Sequence, residues 1–350
     1  MHYCFLTVGI CQGNASFVRL RELGNELAAR GQQISYVVDE IPHNLATLPP
    51  ALHKSCHIEW VKAQGPRQVW NRRDAIGMLK PDFVHVLNPY PKAFAALAGT
   101  RVKVVGDWDE WPVKRPHGPL RAKREHFLDW WLRHRASHVI VASRYMQERF
   151  DGDYGVKATY IPYAAYLNPQ PDGPSPYTEP TAVYMGQLYP LYDHDLIFEA
   201  ALLLRSRRVT PRIDILGNGP EFEKWHSFCQ MRGLDNVTCR GFVAGDELWQ
   251  RLRHARTLLF PIRPTLNNLS RCPSKTFAYA QARRPVVANR LGEVAAVLGD
   301  RAIYVESTAQ SFADGIDHVM LSDATVPDVD YDLSQHTWAK RADDLLAALN

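Results

Sequence analysis

Cysteine is scarce in this 350-residue sequence: six residues, at positions 4, 11, 56, 229, 239 and 272. No two stand in CxxC spacing, which excludes zinc ribbons and thioredoxin-type redox motifs. A chain of this length has core enough to fold without disulfide staples, so reduced and mostly buried thiols are expected. Long apolar runs are also missing; nothing approaches the roughly 18–20 residues of a membrane span. The opening MHYCFLTVGI reads as a strand without a basic n-region, and no signal peptide is expected. No short-period repeat is visible. The histidines are scattered, and no structural metal is expected. A cytoplasmic globular protein is the reading these absences leave.

Hydrophobic residues make up 46% of the chain and charged residues 22%, ordinary values for a chain with material for two cores of about 150 residues each. The net charge of +4 conceals an asymmetry, because residues 1–165 hold 22 Lys/Arg against 15 Asp/Glu. A basic first half suggests an anionic partner there, such as a lipid phosphate, a membrane surface or nucleic acid.

Apolar runs of strand length alternate with segments of helical spacing. HYCFLTVGI, QISYVVD, PDFVHVLN, VKVVGD and SHVIVAS read as buried strands, and FVRLRELGNELAARG as an amphipathic helix closed by Gly31. The proline-rich YLNPQPDGPSPYTEPT breaks the pattern as a linker. It then restarts with TAVYMGQL, DLIFEAALLLRSR, RIDILGNG and EFEKWHSFCQMRG, and continues through VTCRGFV, TLLFPI, RPVVAN and RAIYV. Short buried strands between helices imply parallel sheets covered on both faces. The expected organisation is α/β: a Rossmann-like, doubly wound domain over 1–165, a linker over 166–181, a second such domain over 182–331 and a final helix over 332–350. Two such domains facing a central cleft place a ligand at the carboxyl ends of their strands. That architecture serves transferases, sugar-nucleotide epimerases and binding proteins alike.

In the second half, a strand ending in Gly186 is followed by Gly217-Asn218-Gly219-Pro220 after another strand. Then come Gly241-Phe242-Val243 before a helix and Pro273-Ser274-Lys275 opening one more. In this order they resemble the donor-binding domain of GT-B glycosyltransferases, notably retaining enzymes of glycosyltransferase family 4. The first half is similar more loosely, through VGICQGNASFVRLRELGNELAARG and through HVIVASRYMQERF with YIPYAA. The final HTWAKRADDLL resembles the family's C-terminal helix, which crosses back to the first domain. The resemblance implies transfer of a sugar from a nucleoside diphosphate donor to a glycan, lipid-linked or small-molecule acceptor. Retention is implied, and no metal or other cofactor.

The segment NNLSRCPSKTFAYAQARRPVVAN reads as a polar loop, a helix opened by Pro273 and a buried strand. Arg271 and Lys275 at that opening oppose the helix dipole, which costs a few tenths to about 1 kcal/mol unless an anion binds. N–H groups near Ser274 and Lys275, with the Lys275 ammonium, suit phosphate oxygens. Lys275 and Arg271 are thus the candidate stabilisers of a leaving diphosphate; the bland alternative is two solvated cations. Thr265, Asn267 and Asn268 are candidate readers of sugar hydroxyls or plain turn formers. Gly217, Asn218 and Gly219 offer backbone to a nucleotide or merely turn tightly, and Gly13 and Asn14 precede the first helix as a second backbone approach. The family's cations after the opening Gly are replaced by Gln187, kept as a donor-side candidate, and Tyr192. Its paired glutamates fall on Arg271 and Ala278. These losses leave open a non-catalytic scaffold of the same fold, beside an epimerase or hydrolase, which would need carboxylates in the cleft.

Asp107 and Asp109 in GDWDEWP follow a strand and, with His117, are candidates to contact the acceptor hydroxyl. They also spell a DxD, as do Asp193 and Asp195, but metal binding is discounted in this architecture. The basic and aromatic VKRPHGPLRAKREHFLDWWLRHR, residues 113–135, fits peripheral contact with an anionic membrane. It fits equally a helix that buries one apolar face and solvates its cations. No motif supports nucleic-acid binding.

Overall fold

The computed structural model describes residues 1–11, 15–62, 67–111, 118–166, 173–320 and 328–349. They form two compact units. One comprises residues 1–164, 270–272 and 336–350; the other comprises 165–269 and 273–335. Each is built on a parallel sheet, as the apolar runs require.

The first unit opens with β1 (His2–Leu6), α1 (Ala15–Ala29), β2 (Gln33–Asp39), α2 (Pro42–Thr47) and β3 (His57–Val61). It continues with α3 (Gln68–Leu79), β4 (Phe83–Leu87), α4 (Pro91–Leu97) and β5 (Lys103–Trp108). Then come α5 (Pro119–Arg135), β6 (His138–Val141), α6 (Arg144–Asp153) and β7 (Ala158–Tyr160). Proline stands in the first turn of α2, α4 and α5, where its missing N–H has no intrahelical partner to lose. The strand order is β3-β2-β1-β4-β5-β6-β7. On one face Val84, Val86, Val104, Val139 and Val141 pack against Ile76, Ala96, Leu132 and Phe150 from α3, α4, α5 and α6.

The opposite face holds a polar cluster that the apolar strand pattern conceals. Arg19 on α1 donates Nε and Nη2 to the two carboxylate oxygens of Asp107, at 2.7 and 3.0 Å. His85 Nε2 meets the same carboxylate at 3.0 Å, and its Nδ1 lies 2.7 Å from the Tyr3 hydroxyl. All four side chains are fully buried. The strand β5 runs through Trp108, so Asp107 lies inside the sheet instead of beyond its end.

The second unit contains β8 (Thr181–Met185), α7 (Asp195–Ser206), β9 (Arg212–Leu216), α8 (Phe222–Arg232) and β10 (Val237–Gly241). After these come α9 (Gly245–Arg253), β11 (Thr257–Phe260), α10 (Leu266–Ser270), whose last residue groups with the first unit, and α11 (Lys275–Ala282). The unit is completed by β12 (Val286–Ala288), α12 (Gly292–Leu298), β13 (Ile303–Tyr304) and α13 (Ala309–Met320). Its strand order is β10-β9-β8-β11-β12-β13. One large cluster joins Phe198, Ala201 and Leu204 of α7 to Trp225 of α8 and Phe312 and Ile316 of α13. Within it the Phe198 and Trp225 rings stack at 4.6 Å. The last helix, α14 (Trp338–Leu349), belongs to the first unit and packs on α1. Arg30 fastens it through Asp343 Oδ1 at 2.9 Å and the Ala339 carbonyl at 2.9 Å.

Asp107→Ala is expected to destabilise the first unit by about 3–5 kcal/mol, the cost of leaving a buried guanidinium unpaired, measurable by urea denaturation. Burial alone would push the Asp107 carboxyl up, but Arg19 and His85 together hold it below its ordinary value of 3.8. Its contribution to stability is therefore full above that ordinary value and disappears as pH falls through the lower folded value. In wild type, acid unfolding should steepen below the ordinary value, and in Asp107→Asn that component should be missing.

Candidate functional site

In the second sheet the chain runs outward from β8 in one direction to β9 and β10, and from β11 in the other to β12 and β13. The reversal falls between β8 and β11, and at such a point the loops beyond the strand ends diverge and leave a crevice. Lys275, the first residue of α11, stands there. Its Nζ lies 4.5 Å from the ring centroid of Tyr184 on β8 and 4.5 Å from that of Phe260 on β11. Both rings are buried, so the ammonium is held over two apolar faces by cation–π attraction. The Tyr279 hydroxyl of α11 donates to the Leu259 carbonyl at 3.2 Å and accepts from the Met185 N–H at 2.7 Å. It thereby fixes α11 to both strands.

The backbone after β8 and β9 comes very close together. Gly186 N–H donates to Leu216 O at 3.0 Å, Leu188 N–H to Asn218 O at 3.0 Å and Glu221 N–H to Leu188 O at 3.0 Å. A Cβ on Gly217 would fall 1.8 Å from the Gly186 carbonyl oxygen, and one on Gly219 would fall 2.5 Å from the Leu188 oxygen. Only glycine permits this approach. Asn218 accepts from the Gly219 N–H through its side chain at 2.8 Å. The expected tight turn is real, and it brings Gly217–Gly219 beside Gly186 and the exposed Gln187.

Two sequence expectations need correction in this unit. Asn267 and Asn268 lie in the short helix α10, not in a loop, and α11 begins at Lys275 instead of Pro273. Pro273 supplies the carbonyl that accepts from Thr276 N–H at 3.0 Å. Asn268 is buried, and its amide donates to Asp193 Oδ2 at 2.7 Å and to the Arg263 carbonyl at 2.9 Å, leaving only Oδ1 without a protein partner. Thr265 and Ser274 are exposed. The Asp193–Asp195 pair is closed by a cation of the chain itself. Arg263 reaches Asp195 Oδ1 and Oδ2 at 2.8 and 2.7 Å, and Asp193 Oδ1 at 3.2 Å. The Asp195 bonds, against the opposing effect of burial, raise the Arg263 pKa further above its usual range.

Between these aspartates sits a residue the sequence reading passed over. His194 is buried, with Nε2 2.9 Å from Glu221 Oε2 and Nδ1 without a partner. Burial lowers its pKa against the pull of Glu221, and Lys275 adds to the lowering. Only the spelling Asp-His-Asp could have flagged it. Tyr184 and Phe260 carried no signal beyond being aromatic strand residues.

The first unit does not offer its aspartates to an acceptor. Asp107 has no exposed surface and both its oxygens are engaged by Arg19. Asp109, also buried, accepts from Asn88 Nδ2 at 2.6 Å and from the Tyr163 hydroxyl at 3.0 Å. Before α1, the loop after β1 is held by Asn44, which accepts from Cys11 N–H at 3.0 Å and donates to Gly9 O at 3.0 Å. Gly13, Asn14 and His117 lie outside the described residues. Arg271 is half-buried in the segment 270–272 that groups with the first unit, whereas Lys275 belongs to the second. Among the described residues, no group of three or more His, Cys, Asp or Glu could hold a metal ion.

Residues 17–164 match the family described as Glycosyltransferase Family 4, and residues 179–322 match the one described as Glycosyl transferases group 1. The chain belongs to these glycosyltransferases. No curated protein matches it in sequence. Solved structures give this glycosyltransferase the GT-B fold. TarM of S. aureus, as a point mutant in complex with Fondaparinux, alpha-GlcNAc-glycerol and UDP, superposes with a TM-score of 0.70 at 10% identity, covering 99% of this chain and 96% of its own. HepE from Anabaena in complex with UDP gives 0.65 at 15% identity, covering 99% and 94%. The lipopolysaccharide outer core galactosyltransferase WaaB gives 0.67 at 12% identity, covering 100% and 99%.

Gly217→Ala is the substitution this enzyme should tolerate least at the turn. The obstructing atom is backbone and cannot rotate away, so the cost should reach or exceed the about 1–3 kcal/mol typical of overpacking. Thermal denaturation should show it, with Asn218→Ala close to wild type as the control.

Proposed function

We propose that the enzyme moves a sugar from a nucleoside diphosphate sugar to a glycan, lipid-linked or small-molecule acceptor, as a cytoplasmic transferase that retains anomeric configuration and needs no metal. The observation that carries this reading is the position of Lys275 across the β8/β11 crevice, over Tyr184 and Phe260. As the anomeric C–O bond breaks, its electron pair leaves with the diphosphate, and negative charge grows on the phosphate oxygens. An ammonium fixed beforehand over low-polarity rings stabilises that charge without reorganising. The N–H groups of Thr276 and Phe277 already donate to the Pro273 and Ser274 carbonyls, so the reading rests on the ammonium. In retaining chemistry the leaving phosphate can accept the acceptor's proton, so no protein base is required; the burial of Asp107 and Asp109 is compatible with that.

We assign Ser274, Gln187 and Gly217–Gly219 to the donor side, Thr265 and Asn267 to the sugar, and Arg271 to a supporting cation. Asn268 is better placed as the brace between Asp193 and Arg263. Metal-free transfer is supported by Arg263 occupying the Asp193–Asp195 pair. That UDP accompanies TarM and HepE favours a uridine nucleotide. A non-catalytic scaffold is the second reading, favoured by Gln187, Tyr192 and Ala278 where the family carries two cations and a glutamate.

Calorimetric titration of UDP, GDP, TDP, ADP and CMP should find one diphosphate that binds. Lys275→Ala should weaken it by roughly one to two orders of magnitude, as loss of a hydrogen bond to a charged group implies at about 1.5–3 kcal/mol. Binding of none of them would overturn the donor assignment and leave the scaffold.

A further inference from the structure

Helix α5 satisfies its own core and still leaves large apolar side chains in water. Its inner face buries Leu128, Asp129 and Leu132, and Trp131 sits edge-on to Phe94 of α4 at 4.9 Å. Its outer face exposes Leu120 at 84%, Phe127 at 46% and Trp130 at 49%. These are spaced seven and three residues apart, and so line up on one side of the helix. Phe127 lies 6.0 Å from the Trp130 ring, and Trp130 lies 4.7 Å from that of His134, which extends the row. On the same side of the sheet α3 exposes Trp70 and Met78. Scattered single apolar residues need no explanation, but an aligned row does.

The charges on this face have one sign. The exposed residues of α5 include Arg121, Lys123 and Arg124 and no carboxylate. Its two acids are turned to internal use: Glu125 pairs with Arg121 at 3.0 Å, and Asp129 with Arg133 at 3.0 Å and with the Trp108 indole N–H at 2.9 Å. Trp, Phe and Leu interleaved with Lys and Arg is the surface chemistry of a helix lying in a lipid headgroup layer. Among the described residues no helix is long and apolar enough to cross a membrane.

We infer that the exposed face of α5 docks the enzyme peripherally on an anionic lipid surface. Leu120, Phe127 and Trp130 enter the interface, and Lys123 and Arg124 meet lipid phosphates. This does not depend on the donor assignment, since α5 lies in the other unit and shares no residue with the Lys275 site. Helix α5 buries one apolar face and exposes a second.

The full-length protein should pellet with vesicles of three parts phosphatidylcholine to one part phosphatidylglycerol, and at least tenfold less with phosphatidylcholine alone or in high salt. The double variant Phe127→Glu/Trp130→Glu should remain in the supernatant, and Lys123→Glu/Arg124→Glu should bind at least tenfold more weakly. Phe127 also meets the Phe94 ring of α4 edge-on at 5.5 Å, so Trp130→Glu alone, at a side chain 49% exposed, should weaken binding with an unchanged melting curve. Wild type that stays in the supernatant, or that pellets equally with all variants, overturns the proposal. So does a concentration-dependent dimer in light scattering that Phe127→Glu/Trp130→Glu abolishes, because the face would then belong to a second copy.

Discussion

A parallel sheet whose chain order reverses must leave a gap where the two outward-running halves part, and the candidate site is built on that constraint. At β8 and β11 the gap is floored by Tyr184 and Phe260 and bridged by Lys275. Holding it open at a fixed width requires the two strands to be tied independently of any ligand. The Tyr279 hydroxyl does this from α11, bonding one group of each strand end. The helix that supplies the cation therefore also ties together the ends of the two strands beneath it. On the β9 side, the approach of Gly217 to Gly186 closes the floor so tightly that no side chain can occupy it.

The carboxylates obey a different constraint. A buried carboxylate must be paired, and pairing removes it from chemistry. Asp107 is paired with Arg19, Asp109 is bonded by Asn88 and Tyr163, and Asp193 and Asp195 share Arg263. Each of these had the local spelling of a functional group. Each turns out to fasten one chain segment to another: α1 to β5, the residue after β4 to the residue after β5, and the start of α7 to the loop beyond β11. The crevice between β8 and β11 is bridged by a cation, Lys275. That suits stabilising an anionic leaving group better than general acid–base work.

Much of the fold was legible because parallel strands covered on both faces must be continuously apolar, as in QISYVVD and PDFVHVLN. The edge strand β3 was not, because His57 and Glu59 on it are only partly covered and break the apolar run. Helix α10 was read as a loop because Leu-Asn-Asn-Leu-Ser has turn-forming composition. Tertiary bonds from Asn268 to Asp193 and Arg263 override that preference. Lys275 was legible because a cation at a helix start is locally unfavourable and asks for an anion. Its aromatic cradle was not, since Tyr184 lies 91 positions away in the chain and nothing local marks it. Likewise Asp107 gave no hint of Arg19, 88 residues earlier.

The replacement of two family cations by Gln187 and Tyr192 bears on how much Lys275 must do. Electrostatic stabilisation depends on the dielectric around the charge as well as on the number of charges; the same pair interacts several times more strongly near a protein surface than in bulk water. Tyr184 and Phe260 keep water from one side of the Lys275 ammonium, and Tyr189 and Tyr192, partly buried with ring centroids 6.2 Å apart, add aromatic surface to the loop after β8. On the proposed reading, the chain has exchanged additional solvated charges for one charge in a drier place. Fewer cations also mean a weaker long-range pull on a dianionic donor, so the enzyme would rely less on electrostatic steering and more on local fit at the crevice. On that reading, the geometry set by Tyr279 and Gly217 is what donor binding would depend on.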